Sequence, residues 1–225
     1  EVNSIEAEIT GDAFAGNAVV GDANADALSF SKYGDTHRFI GVISKAFKTG
    51  TTVSTFFEYA QGGRFNYIYG GDINNDGSSI NDLLYIPTAG EIGQMNFSGA
   101  GQAEAFETFI QQDDYLSERR GEYAERYGAV APWRSSWDVK VLQDIKVNDK
   151  NKFQVSVDVL NIGNLLNSNW GVIEQPAFDQ VLGVSIDDAN VPTYTFNPGL
   201  TNTFVSNTNI LSRWRAQVGV RYIFN

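Results

Sequence analysis

The chain has 225 residues, a net charge of −11 and no cysteine, which removes disulfide frameworks and thiolate metal sites and disfavours nucleic acid, a partner that needs a basic surface. Its single histidine, His37, argues against histidine-rich zinc sites and most triad chemistry. No run of about 18 apolar residues offers a transmembrane helix, but a membrane β-barrel needs none, since its lipid-facing residues alternate with lumen-facing ones.

Glu1 opens the chain without a start methionine, a basic n-region or an apolar h-region, which reads as a processed chain or, preferably, a piece of a longer one. Residues 1–35, rich in Gly, Ala, Asn and Asp with no sustained period, read as a long loop. Residues 37–47 read as a strand with imperfect alternation, because Ile40 and Val42 fall opposite Phe39 and Ile43. A short turn containing Gly50 leads to residues 52–69, with Val53, Thr55, Phe57 and Tyr59 on one face. Beyond a Gly62-Gly63 bend come Phe65, Tyr67 and Tyr69, read as an aromatic continuation of the strand.

Residues 70–132 form a long insertion with a Gly/Asp loop, a helix over 102–112 carrying Phe106, Phe109 and Ile110 at helical spacing, and a mixed-charge run. Strands resume at 133–147, with Trp137, Val139, Val141, Ile145 and Val147 facing one way and Asp138, Lys140, Asp144 and Lys146 the other. A tight turn over 148–151 joins this strand to 152–162, where Phe153, Val155, Val157 and Val159 oppose Lys152, Gln154, Ser156 and Asp158, so the two make a hairpin. Residues 163–211 are a second long, Asn-rich loop. The last strand, 213–225, sets Trp214, Ala216, Val218, Val220, Tyr222 and Phe224 against Arg213, Arg215, Gln217, Gly219 and Arg221.

Connections between these strands alternate short and long, as the periplasmic turns and extracellular loops of transmembrane barrels do. On that reading 1–35, 70–132 and 163–211 are extracellular. Arg on a lipid face costs roughly 2 to 4 kcal/mol at the midplane, so the faces bearing Lys140, Asp158, Arg215 and Arg221 line the lumen. The expected fold is all-β: the last five strands of a transmembrane antiparallel barrel. The alternative is a soluble secreted β-sandwich that binds a partner through its long loops.

Gln217, Gly219, Tyr222 and Phe224 resemble the ending of bacterial outer-membrane barrels, a polar residue, a glycine two places on and two alternate aromatics. The resemblance implies a signal read by the barrel assembly machinery. Four stretches, 70–87 (GGDINNDGSSINDLLYIP), 115–133 (YLSERRGEYAERYGAVAPW), 153–170 (FQVSVDVLNIGNLLNSNW) and the terminal strand, together resemble the C-terminal part of TonB-dependent outer-membrane receptors of the Bacteroidetes Oar-like or SusC-like group. That resemblance implies a plugged barrel of about 22 strands in the outer membrane, energised uptake of a large or scarce ligand such as a peptide, glycan or metal chelate, and no enzymatic activity. It further implies lipid, TonB and a surface lipoprotein as partners. The plug, the TonB box and the upstream strands have no counterpart in these residues.

Asp72, Asn74 and Asp76 followed by Gly77 resemble the opening of a calcium loop, with oxygen ligands at positions 1, 3 and 5 and a turn glycine at 6. Leu83 stands where the closing Glu belongs and Asp82 comes one residue early. Two readings stand: a calcium site completed by Asp82 or other loops, and an Asx-rich turn without metal. Signs of catalysis are slight. Glu104 and Glu107 share a helix face, Lys48-Thr49-Gly50 reads as a turn, and Arg119-Arg120 sits in a surface charge cluster.

Overall fold

The computed structural model describes residues 16–22, 28–34 and 36–224. Most of the 1–35 loop reading, and Asn225 of the last strand, therefore lie outside the described residues. In chain order the strands are β1 (Arg38–Ala46), β2 (Thr51–Ala60), β3 (Arg64–Phe65), β4 (Ile68–Gly70), β5 (Tyr85–Ile86), β6 (Glu122–Tyr123), β7 (Ala129–Val130), β8 (Arg134–Lys146), β9 (Asn151–Leu160), β10 (Ile173–Pro176), β11 (Gln180–Ile186), β12 (Pro192–Thr195), β13 (Phe204–Asn207) and β14 (Arg215–Phe224). The helices are α1 (Ala89–Ile92), α2 (Gln102–Gln112), α3 (Asp114–Glu118) and α4 (Ile162–Leu166). The chain divides into two compact units, one of residues 35–62, 132–175 and 206–225, the other of 1–34, 63–131 and 176–205.

The first unit is built on a five-stranded antiparallel sheet in the order β1-β2-β8-β9-β14. All five strands expected from alternation are present, each beside its sequential neighbour among the five. The tight turns are made by local polar bonds. Gly50 takes φ +81 between β1 and β2, and between β8 and β9 the Asn148 Oδ1 accepts the backbone N–H of Lys150 (3.0 Å) and Asn151 (2.9 Å). Both are short turns of the kind that fix hairpin register.

The second unit has its own core, formed by Tyr67, Leu84, Ile86, Phe106, Phe109, Ile110, Leu116, Leu182 and Phe196 among others. Its central sheet runs β12-β11-β4, with β11 antiparallel to β12 and parallel to β4. Helix α2 has the bounds its periodicity foretold, and Phe106, Phe109 and Ile110 are its buried residues. Phe106 and Phe109 meet Phe196 at ring-centroid distances of 5.2 and 5.6 Å. Asp113 ends α2 and caps α3, its Oδ1 accepting the Leu116 N–H at 2.8 Å.

Two sequence readings are corrected here. Residues 52–69 are not one bent strand: β2 stops at Ala60, and Tyr67 and Tyr69 are core residues of the other unit. The Gly62-Gly63 pair lets the chain leave the sheet, and the Tyr67 hydroxyl then donates to Asp113 Oδ2 at 2.5 Å. Nor are residues 163–211 one long loop: they hold β10 to β13, and with the helix-bearing 70–132 insertion they supply most of the second core.

Candidate functional site

Register determines which side chains share a face of the five-stranded sheet. Pairing aligns Thr55, Val139, Val159 and Ala216 in one row and Val53, Val141, Val157 and Val218 in the next. Val155 and Val220 follow, then Ile145, Phe153 and Tyr222. At the other end, the same face carries Phe39 with Tyr59 and Phe57 with Trp137. The face is mostly apolar across the five strands, with Lys45 opposite Val53 and Gln143 opposite Val155 as polar exceptions near the tight turns, and it is open: Ile43, Val218 and Val220 are 70%, 69% and 70% exposed. Aromatic side chains stand at both ends. Tyr59 stacks on Trp133 at 4.6 Å, and Phe153 meets Tyr222 at 4.9 Å.

The opposite face carries most of the sheet's charges, several of them paired, beside Phe56, Leu142, Leu160 and Ile223. Lys140 Nζ lies 2.8 Å from Asp158 Oδ1, Lys152 Nζ 2.6 Å from Asp144 Oδ2, and Glu58 Oε1 sits 3.0 Å from Arg38 and 3.6 Å from Arg134. Lys140, Asp158, Arg215 and Arg221 fall on this one face, as alternation anticipated. Toward the end of the sheet where Glu58 and Arg134 lie, Glu58, Arg134, Asp138, Asn161 and Arg215 line a cavity of about 200 Å³. Sequence reasoning missed Glu58, Arg38 and Arg134 as a group and missed Asn161. The parity of Arg38, Glu58 and Arg134 along their strands was the available signal. Asn161 gave none, because its role depends on a positive φ of 53 and on bonds to Asp138 and Gly171. Ile40 and Val42 also fall on the polar face, at the exposed β1 edge.

The four residues of the terminal pattern divide between the faces. Gln217 and Gly219 pair with Asp158 and Ser156 on the polar side, while Tyr222 and Phe224 pair with Phe153 and Asn151 and point the apolar way. A Cβ on Gly219 would come within 2.7 Å of Ser156 Oγ, so the glycine makes room for its cross-strand neighbour.

The 72–82 loop folds upon its own side chains. Asp72 Oδ1 and Asn74 Oδ1 both accept the Asp76 N–H, at 3.0 and 2.9 Å, and Asp72 Oδ2 accepts that of Gly77 at 2.8 Å. Asp82 Oδ2 takes the Ile73 N–H at 3.0 Å. Burial raises the Asp82 carboxyl above its usual range, helped by the negative charges of Asp76 and Asp72. Burial also pushes Asp76 up, but bonds from Ser78, Asn81 and Asn74 outweigh it and leave that carboxyl lowered. Among the described residues no group of three or more His, Cys, Asp and Glu side chains is placed to hold a metal by itself.

The remaining candidates have structural partners. Glu107 is held by Arg120 through two 2.8 Å bonds and by Gln111 at 2.7 Å, so it does not pair with Glu104. Arg119 approaches Glu125 at 3.5 Å and lies over the Tyr115 ring. His37 stacks on Trp133 at 6.1 Å. No protein-family model, curated protein or solved structure matches the chain.

Proposed function

We propose that the five-stranded sheet is the C-terminal stretch of wall in an outer-membrane β-barrel of the TonB-dependent receptor type, a transporter that takes up a large or scarce ligand such as a peptide, glycan or metal chelate. The observation that carries this reading is the exposed, mostly apolar face that runs over five strands, with Lys45 and Gln143 confined to its tight-turn end and aromatic rings at both ends. In water such a face is an aggregation hazard, whereas in a bilayer it is the lipid-contacting surface. Dimensions support the same reading. From the row of Ser135 with Tyr59 to the row of Ile145 with Phe153 is about 33 Å along the strand at about 3.3 Å per residue. For a strand tilted by about 40° that becomes about 25 Å along the normal, the height of a barrel's apolar band.

The outer edges of β1 and β14 are not paired within this sheet. An open edge is not tolerated in lipid, so further strands continue the wall on both sides. The charged face then looks into the lumen, where Lys140 with Asp158 and Lys152 with Asp144 neutralise each other. The transport role itself rests on the four-stretch sequence resemblance.

Fractionation tests the proposal. The protein is expected in the outer-membrane fraction, resistant to carbonate and high salt and released by detergent. Recovery as a monodisperse soluble protein without detergent would instead favour the secreted sandwich.

A further inference from the structure

The 72–82 loop gathers negative charge that meets N–H donors but no counter-charge among the described residues. Asp72, Asp76 and Asp82 form no ion pair with any Lys, Arg or His among the described residues. Asp82 is only 2% exposed, and a buried carboxylate without a counter-charge is costly unless a cation supplies one.

A second observation at the same place concerns Asn81, which is 0% exposed. Its Nδ2 donates to Asp76 Oδ2 at 3.0 Å, while its Oδ1 is buried without any hydrogen-bond partner. Turning the amide over would set its carbonyl against the Asp76 carboxylate, so the bond fixes the orientation and leaves a buried acceptor, on a side chain bonded to the acidic group, with no donor to meet it.

Both deficits are filled by one hard cation. We propose that this loop is a calcium site whose oxygen set is Asp72, Asn74, Asp76, Asn81 and Asp82. Among the described residues no three carboxylates are already placed around one point, so the ion would draw them and the two amide oxygens together as it binds. Calcium suits it because the donors are all oxygen, and because calcium accepts six to eight of them in flexible geometry where magnesium demands a near-ideal octahedron. Gly77, at φ +93, makes the sharp turn after Asp76. The departure at position 12 has a structural cause: Leu83 packs with Ala18 and Ile68 in a small apolar cluster, so the chain points that side chain away from the loop. Asp82, the preceding residue, is bonded back to Ile73 and takes the closing position.

Terbium, which occupies calcium sites and is sensitised by nearby aromatic rings, provides the test on the full chain. Saturable terbium luminescence is expected, displaced by calcium and not by an equal concentration of magnesium. Asn81→Ala and Asp82→Asn should each weaken calcium displacement by about tenfold or more, because affinity follows the number and charge of the ligands. Glu104→Gln, outside the loop, should leave it unchanged. Should the buried variants fail to fold by circular dichroism, Asn74→Ser reports on the same site from a less buried position. Absence of saturable luminescence, equal displacement by magnesium, or unchanged affinity in the folded loop variants would each overturn the assignment. The inference does not depend on the transporter reading.

Discussion

Lys140 and Asp158 face each other across β8 and β9, Nζ to Oδ1 at 2.8 Å, while the adjoining pair Val141 and Val157 points to the other side of the sheet. A slip of one residue would exchange the two sets. This pair of rows therefore separates the charged face from the mostly apolar one.

Facing can be tested by substitution. Val157→Arg is expected to destabilise a lipid-facing site by roughly 2 to 4 kcal/mol near the midplane. Asp158→Asn should cost under about 1 kcal/mol, as for a partly exposed ion pair. Denaturant titration in detergent micelles measures both. Single cysteines, free of background because the chain has none, give a second readout. A water-soluble thiol reagent should modify positions 158 and 221 and spare 157 and 220, and the reverse pattern would sink the barrel orientation.

The core unit offers a backbone test. Gly71 adopts φ +145, and a Cβ there would lie 2.1 Å from the carbonyl oxygen of Val184 on β11. Gly71→Ala therefore meets strain of roughly 1 to 3 kcal/mol as well as a clash with backbone that cannot swing aside. Faster limited proteolysis within residues 63–131 is expected, with the sheet unit's resistance unchanged. Equal resistance to wild type would show that the β4–β11 approach is not needed.

β2, β8, β9 and β14 were legible because each alternates over ten or more residues with charges on only one side, β1 less so because Arg38 and Lys45 fall on opposite faces, and α2 because Phe106, Phe109 and Ile110 recur at helical spacing. The second core was not legible. Its strands, such as Arg64–Phe65 and Tyr85–Ile86, are too short to show a period, and its sheet joins Ile68–Gly70 to Gln180–Ile186 across a long sequence separation. Within the acidic loop, Asp72, Asn74 and Asp76 could be read from spacing. Asn81 could not, because burial and an unmet carbonyl are tertiary properties.

Alkaline pH should act on the core unit through Tyr67. Burial, with the Asp113 carboxylate 2.5 Å away, raises its hydroxyl well above the ordinary value of 10.0. The folded state thus holds this proton more tightly than the unfolded chain does. Its contribution to stability is complete below about pH 10 and falls as pH rises beyond the unfolded pKa toward the folded one. Tyr69, raised first by burial and then by Tyr194, adds a slope of the same sign. Tyr67→Phe should reduce the loss above pH 10 and cost about 1.5 to 3 kcal/mol at neutral pH, the range for a hydrogen bond to a charged group. Thermal melts between pH 7 and 11 measure both effects, and an unaltered slope in the variant would assign the pH dependence elsewhere.

The terminal strand carries the last prediction. Tyr222 lies 4.9 Å from Phe153 and 5.9 Å from Phe224, so the final aromatics close the apolar face at the end where the two tight turns lie. Gln217 and Gly219 mark the polar face of the same strand. If assembly machinery reads this ending, it reads a two-faced edge whose backbone is unpaired on one side, the form in which a strand can be added to a sheet. Deleting Phe224 and Asn225 removes one aromatic and shortens that edge while leaving the Tyr222–Phe153 contact in place. The expected result is depletion of the protein from the outer membrane at unchanged synthesis; in the undeleted chain Phe224→Tyr should keep normal levels, and Phe224→Ala should be depleted like the deletion. Quantitative immunoblotting of membrane fractions measures this, and normal membrane levels for the deletion would remove the signal from these residues.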